Sequence, residues 1–310
     1  MFTDARQAPT SVVICCYTME RWPDLVEAVA EVDRQAGGRA EIVVCVDHND
    51  ALLERAREEL PRATVIENIH ERGLSGARNT AVEHASGEVL VFLDDDAVPG
   101  PGWLRALMEP FADGKVAVVG GAAAPAWPRL RPGWFPPEFD WVVGCSYVGL
   151  PVRRTAVRNV MGCNMAIRRD VFKAGLRFSP AVGRTGNDTA GCEETELCIQ
   201  VHRLWPGVAI VLEPEAVVRH RVPSNRCSWS YFARRCYAEG RSKARVSALV
   251  GQQDALSTEW EYTRRTLPRG FGRGLRAAVA GELSGLGRSA AILAGLGITS
   301  AGYARGRFVG

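Results

Sequence analysis

Short apolar runs alternate, over the first 120 residues, with longer stretches whose apolar positions recur every three or four residues. Ser11–Cys16 (SVVICC), Glu41–Val46 (EIVVCV), Ala63–Ile66 and Val89–Leu93 (VLVFL) have strand length and polar or glycine boundaries, which predicts strands. Met19–Gln35 places Trp22, Leu25, Val29 and Val32 at helical spacing, and Pro23 suits the first turn. Ala51–Leu60, Gly73–Ala85 and Trp103–Phe111 read as further helices, the last set off by Pro99–Gly102, and Val116–Val119 as a strand. Runs that are apolar at every position predict strands buried on both faces. Their alternation with helices predicts an α/β fold around a parallel sheet.

The second half has a different pattern. Five prolines fall between Pro125 and Pro137, among Trp127, Trp134, Phe135, Phe139 and Trp141. This predicts a long irregular connection, to Pro151, with an aromatic surface. Arg158–Arg168 reads as a strand entering a helix at Arg169–Ala174, and Gly183–Cys192 as a polar glycine loop. Glu193–Leu204 reads as a helix, and Val208–Leu212 and Val217–His220 as two late strands. From Ser228 onward the chain reads as helical and basic.

Composition narrows the class. At 310 residues, 46% hydrophobic and 24% charged, the chain has the balance of a soluble globular protein. Its net charge of +3 gives no argument for nucleic acid as a partner. Nine cysteines, an odd number without a C-x-x-C pair, predict reduced, buried thiols and a cytoplasmic setting. The N-terminus lacks the form of a signal peptide, and no apolar run reaches spanning length. Ala290–Tyr303, flanked by Arg288, Arg305 and Arg307, reads either as a small-residue helix packed on the body or as a membrane-surface contact. Neither G-x-G-x-x-G nor G-x-x-x-x-G-K-[ST] follows any strand, which argues against a dinucleotide site and a P-loop.

The chemistry concentrates at predicted strand ends and helix starts. Asp94-Asp95-Asp96 must emerge where VLVFL ends, because unpaired carboxylates are too costly in a core. They either cap the next element or share a hard cation with a diphosphate. Asp47, after the second strand, either accepts an N–H from a base or caps a turn. Gly73-Leu74-Ser75-Gly76-Ala77-Arg78 opens a helix whose N-terminus attracts anions; Arg78 either reaches a nucleotide or pairs with a nearby acid. Glu193 and Glu194 stand in a first helical turn that favours ionised carboxylates, as a base requires or as ordinary helix starts show. His220 ends a late strand, either as a structural histidine or as a metal ligand completing a site with two aspartates.

The order of these segments resembles glycosyltransferase family 2, enzymes of the GT-A fold. SVVICCY, Glu41–Asp47, GLSGARN with GEVLVFLDDD, GCNMAIRR and CEETEL carry the likeness, over roughly residues 10–225. The resemblance implies a Rossmann-like, mixed and mainly parallel sheet with a C-terminal helical extension. It implies a nucleotide-binding half over about 10–120, an acceptor half over about 121–225, and a basic extension over 226–310. It also implies a metal-dependent inverting transfer of a sugar from a nucleotide sugar, UDP-linked in this reading, to an acceptor hydroxyl.

Asp47, Gly73, Arg78, Asp94 and Asn164 are the implied substrate-binding residues, and Asp96, Asp94 and His220 the implied ligands of Mg²⁺ or Mn²⁺. Glu194 stands at the position of the family's catalytic-base Asp, a departure that keeps Glu193 in view as the base. Cys15-Cys16 also depart from the family's usual Pro-Thr. Asp95 is left with structural support. In Ser228–Arg245, Arg234, Arg235 and Lys243 either meet a diphosphate or lie on a docking helix packed through Trp229, Phe232 and Tyr237. The acceptor is unidentified, either lipid-linked or a cell-envelope or secondary-metabolite glycan; a lipid-linked one would bring peripheral membrane contact through the extension, at the inner face of the membrane. The competing expectations are a nucleotidyltransferase and a non-catalytic scaffold that binds sugar nucleotides.

Overall fold

The computed structural model describes residues 2–181, 191–250 and 261–309. The chain forms two compact units. The first comprises Met1–Ala123, Pro151–Asp188 and Glu193–His220; the second comprises Ala124–Leu150, Thr189–Cys192 and Arg221–Gly310. Most of the glycine loop expected at Gly183–Cys192 lies outside the described residues.

In the first unit, the predicted alternation forms β1 (Thr10–Cys16), α1 (Trp22–Ala36), β2 (Ala40–Val46), α2 (Asp50–Glu59), β3 (Thr64–Glu67), α3 (Leu74–His84) and β4 (Val89–Asp94). Then follow β5 (Ala97–Pro99), α4 (Trp103–Met108), β6 (Val116–Ala126), β7 (Thr155–Ala156), β8 (Asn164–Arg168), α5 (Arg169–Lys173), α6 (Glu193–Leu204) and β9 (Ala209–Arg221). The sheet runs β3-β2-β1-β4-β8-β6-β9-β5, with β7 beside β9. Its parallel pairs are β3–β2, β2–β1 and β1–β4; from β4 to β8 the sense reverses. Val116–Val119 therefore lies in the antiparallel half, in β6, whose register pairs it with β8.

The continuous apolar runs fill cores on both faces of the sheet. Val12, Ile14, Val89, Val91 and Leu93 pack on one side with α1, α2 and α4. Val13, Leu90 and Phe92 pack on the other with α3, α5 and α6. Each such side chain stabilises the fold by about 1.5–3 kcal/mol. This holds β4 fixed up to the residue where its acids begin.

Two expectations change here. The late strands at Val208–Leu212 and Val217–His220 are one strand, β9. It pairs with β7 before Pro214 and with β5 after it, so the proline interrupts neither ladder. Beside the proline, Glu213 accepts the Glu215 N–H at 3.1 Å and the Arg154 guanidinium at 2.5 Å. The aromatic surface expected after Pro125 is a core instead: Phe135 and Phe139 are buried with Phe232 and Leu267 in the second unit. Side chains this large lose too much by facing water when a helix can cover them.

The long helical elements described in the second unit are α7 (Trp229–Val250), a π-helical turn (Tyr262–Thr266), α8 (Leu267–Val279) and α9 (Ser284–Val309). Ala291 and Ile292 are buried, and a Cβ on Gly302 would stand 2.2 Å from the Tyr237 carbonyl oxygen, so α9 packs closely on α7. Ala290–Tyr303 is thus the packed small-residue helix. Phe232 is buried while Trp229 and Tyr237 are partly exposed; Arg235 pairs with Glu239 at 2.9 Å. Among the described residues no helix is long and apolar enough to cross a membrane. All nine cysteines are free thiols; seven are buried and two half-buried.

Candidate metal and nucleotide site

The site is built at the carboxyl ends of β2 and β4, in the first unit. Asp47 follows β2, and its carboxylate accepts the Gly73 N–H at 2.9 Å and the Asn68 amide at 2.7 Å; His48 Nδ1 lies 2.9 Å away. Gly73 has φ +130° at the N-terminus of α3, a conformation that favours glycine, and no side chain of its own to cap the helix. Asp47 takes over that capping from another strand end. The structure shows the turn-capping role, and a carboxylate with two oxygens keeps acceptor capacity beyond these bonds.

Arg78, one turn into α3, is buried. It donates to Glu193 Oε1 at 3.0 Å, Asp94 Oδ1 at 3.3 Å and the Gly162 carbonyl at 2.8 Å. Burial pulls its pKa down, but the charges of Glu193 and Asp94 outweigh this and hold it above the ordinary arginine value. Arg78 thus joins two carboxylates that lie 99 residues apart in the chain.

Asp94 ends β4 half-buried; Asp95 and Asp96 are buried. Pairing of β5 with β9 sets Ala97 opposite His220, which brings the imidazole Nε2 to 3.3 Å from Asp96 Oδ1. Ligand atoms of Asp94, Asp96 and His220 all lie within 4.8 Å of one another. Two hard carboxylate oxygens and one imidazole nitrogen make a donor set that fits a divalent cation. His220 Nδ1 makes no hydrogen bond among the described residues.

Arg21, just before α1, completes the cluster. It reaches Asp95 Oδ1 at 2.6 Å and Asp96 Oδ2 at 3.1 Å. Burial pushes the Asp95 carboxyl up to about 7 against the pull of Arg21. No motif in the sequence points to Arg21, although it is the one basic residue between β1 and α1. Nothing in its sequence context marks Asn68.

Glu193 and Glu194 open α6. Glu193 is buried, its Oε2 without a hydrogen bond among the described residues, whereas Glu194 is half-buried. Asn164, expected to bind substrate, is fully buried: its amide accepts from Trp103 Nε1 at 2.8 Å and donates to the carbonyls of Ala122 at 2.9 Å and Ala216 at 2.8 Å. These bonds tie β8 to β6, β9 and α4.

A mixed sheet of this topology, with an Asp-x-Asp pair at the end of β4, defines a glycosyltransferase of the GT-A class. Residues 11–176 match the family model described as glycosyl transferase family 2, and the chain belongs to that family. A glucosyl-dolichyl phosphate glucuronosyltransferase of Haloferax volcanii is 31% identical over 246 residues, covering 78% of each chain. Among solved structures, the mannosyltransferase PcManGT from Pyrobaculum calidifontis, in complex with GDP-Man and Mn²⁺, is similar with a TM-score of 0.61 at 17% identity, over 97% of this chain and 89% of that one. GalNAc-T7 with UDP, GalNAc and Mn²⁺ is similar with a TM-score of 0.54 at 17% identity, over 83% of this chain and 54% of that one.

Proposed function

We propose that the protein is an inverting, metal-dependent transferase that moves a sugar from a UDP-linked donor to the hydroxyl of a lipid-linked acceptor at the inner, cytoplasmic face of a membrane. The observation that carries this reading is the convergence of Asp94, Asp96 and His220 at the end of β4. These three would hold Mn²⁺ or Mg²⁺; the imidazole among the donors favours Mn²⁺. When bound, the ion supplies positive charge against a leaving diphosphate.

The chain's own residues divide the remaining work. Asp47 receives the N–H of a uracil-type base with the acceptor capacity left to it, and Gly73 keeps the start of α3 open to the nucleotide. Arg78 sets the position of Asp94, which faces the ribose as well as the ion. Asn164 acts indirectly by holding β8, β6 and β9 beneath the acids. Glu194 takes the proton from the acceptor hydroxyl, because Glu193 is buried and ion-paired with Arg78. One base suffices for a single displacement, which inverts the anomeric centre.

The name of the H. volcanii relative, a glucosyl-dolichyl phosphate glucuronosyltransferase, supports a lipid-phosphate-linked acceptor. The C-terminal helices would bring the peripheral membrane contact such an acceptor needs. A screen of nucleotide sugars by release of UDP or GDP, with Mn²⁺ or Mg²⁺, tests the activity. Release of UDP that Asp96→Ala abolishes is the expected result. Stabilisation by UDP without turnover would favour a scaffold, and neither binding nor turnover of any nucleotide sugar would remove the reading.

A further inference from the structure

The hairpin of α8 and α9, within the second unit, presents three distinct stripes. Leu267, Gly270 and Gly274 face inward and are buried. A Cβ on Gly274 would meet the Gly285 carbonyl oxygen at 2.6 Å, so the two helices approach closely there. Arg269, Arg273 and Arg276, spaced by four and three residues, form a second stripe. The third consists of Leu275 and Val279, continued by Leu283 in the turn and Leu286 in the first turn of α9. These four side chains are 40%, 91%, 75% and 52% exposed. Four large apolar side chains within twelve residues are too many for scattered surface leucines.

Beside this tip lies a cavity of about 420 Å³ lined by Glu138, Gly270, Arg273, Gly274, Arg276 and Arg288, among others. A Cβ on Gly270 would stand 2.3 Å from Glu138 Oε1, so glycine there makes room for the carboxylate. Glu138 is buried and pairs with Arg273; Arg288 pairs with the exposed Glu282 at 2.8 Å. Arg276 makes no ion pair among the described residues, and its Nε donates to the Gly272 carbonyl at 3.3 Å. Glu138 and Glu282 offset two of the three guanidiniums, so the cavity keeps a positive charge at Arg276, and a guanidinium fork matches a phosphate. Residues 261–309 hold eight arginines and two glutamates.

We propose that this hairpin is a membrane-docking surface for an anionic phospholipid bilayer. Leu275, Val279, Leu283 and Leu286 enter the acyl boundary, and the arginine-lined cavity takes a lipid phosphate. An apolar stripe bordered by an arginine stripe on one helix is the pattern of an interfacial helix, and it meets a surface of opposite charge. This assigns the membrane contact of the proposed function to residues 267–288, away from the Ala290–Tyr303 stretch that packs on α7.

Co-sedimentation of the full chain with phosphatidylcholine vesicles, with and without phosphatidylglycerol, tests it. Binding is expected to vesicles containing phosphatidylglycerol and to weaken with salt. Replacing Val279 and Leu283 together by Asp is expected to reduce it more than tenfold, and Arg276→Gln roughly fivefold. Val279 and Leu283 face solvent, so circular dichroism and nucleotide release in solution should be unchanged in the double variant. Equal binding to neutral vesicles, or full retention by the double variant, would overturn the proposal. So would stabilisation by inorganic phosphate without vesicle binding, which would make the cavity a soluble-anion site. No donor or acceptor is present in the assay, so its failure leaves the transferase reading untouched, and the reverse holds.

Discussion

Arg78 holds Asp94 with one guanidinium nitrogen and Glu193 with another, at 3.3 and 3.0 Å, in a setting where its side chain is 3% exposed. It links the end of β4 to the start of α6, so the acid pair and the helix carrying the glutamates form one charged unit. Removing it strands two carboxylates without their counter-charge. Breaking a buried pair in this way costs about 3–5 kcal/mol. Arg78→Ala should therefore lower unfolding stability by that amount in a denaturant titration and abolish turnover as well. Adding Glu193→Gln should restore part of the stability, because the uncompensated buried charge is then gone. Additive losses in the double variant would show that the pair is not coupled.

The two glutamates at the start of α6 should separate cleanly by kinetics. Glu194→Gln is expected to lower kcat by about 10²–10⁴-fold, the usual range for loss of a general base, with little change in the donor KM or in the melting temperature. Glu193→Gln is expected to act chiefly on stability through its bond to Arg78. A reversed pattern, read from steady-state UDP release and thermal melts of both variants, would assign the base to Glu193.

At the proposed metal ligands, the expected loss is in affinity for the ion. His220→Ala removes a nitrogen donor and Asp96→Asn a charge, so Mn²⁺ binding, followed by electron paramagnetic resonance of the free ion, should weaken by at least about 10–100-fold in each. Chelation should stop turnover of the unmodified chain, and added Mn²⁺ should restore it. Unaltered Mn²⁺ binding in both variants would place the ion elsewhere.

Asn164 has a different expected signature. Its amide joins Trp103, Ala122 and Ala216, all in the interior. Asn164→Leu leaves these groups without partners, at about 1–3 kcal/mol each. A large drop in melting temperature is expected, with kcat per folded molecule nearly kept. A stable variant with a raised donor KM would return Asn164 to direct contact with substrate.

The legible parts of this fold are those governed by local pattern. Val89–Leu93 is apolar at every position, so its burial and the emergence of Asp94 could be read directly from the sequence. What stayed hidden depends on partners far along the chain. Val208–Leu212 and Val217–His220 read as two strands because the pairing of β9 with β7 and β5 on either side of Pro214 is a matter of register. Phe135 and Phe139 suggested a surface because their cover, Phe232 and Leu267, comes more than 90 residues later. His220 was legible as a candidate, but its nearness to Asp96 follows from the pairing of β5, a strand of three residues that no periodicity marks. Arg21 is a similar case: its partners Asp95 and Asp96 lie more than 70 residues on.

Asp47 offers a test in which architecture and recognition can be pulled apart. Its carboxylate caps α3 through Gly73 and holds the Asn68 amide, while the proposed reading asks the same group to accept a base N–H. Asn at this position keeps one acceptor oxygen for Gly73 and loses the second, together with the charge. Asp47→Asn should thus cost no more than about 1 kcal/mol in stability, the scale of a single hydrogen bond, while raising the donor KM. Asp47→Ala removes the cap as well, at about 0.5–2 kcal/mol, and should raise the KM at least as far. Melts and KM values for the two variants decide the matter. If Asn restores both the stability and the donor KM of the original chain, Asp47 is a cap and nothing more.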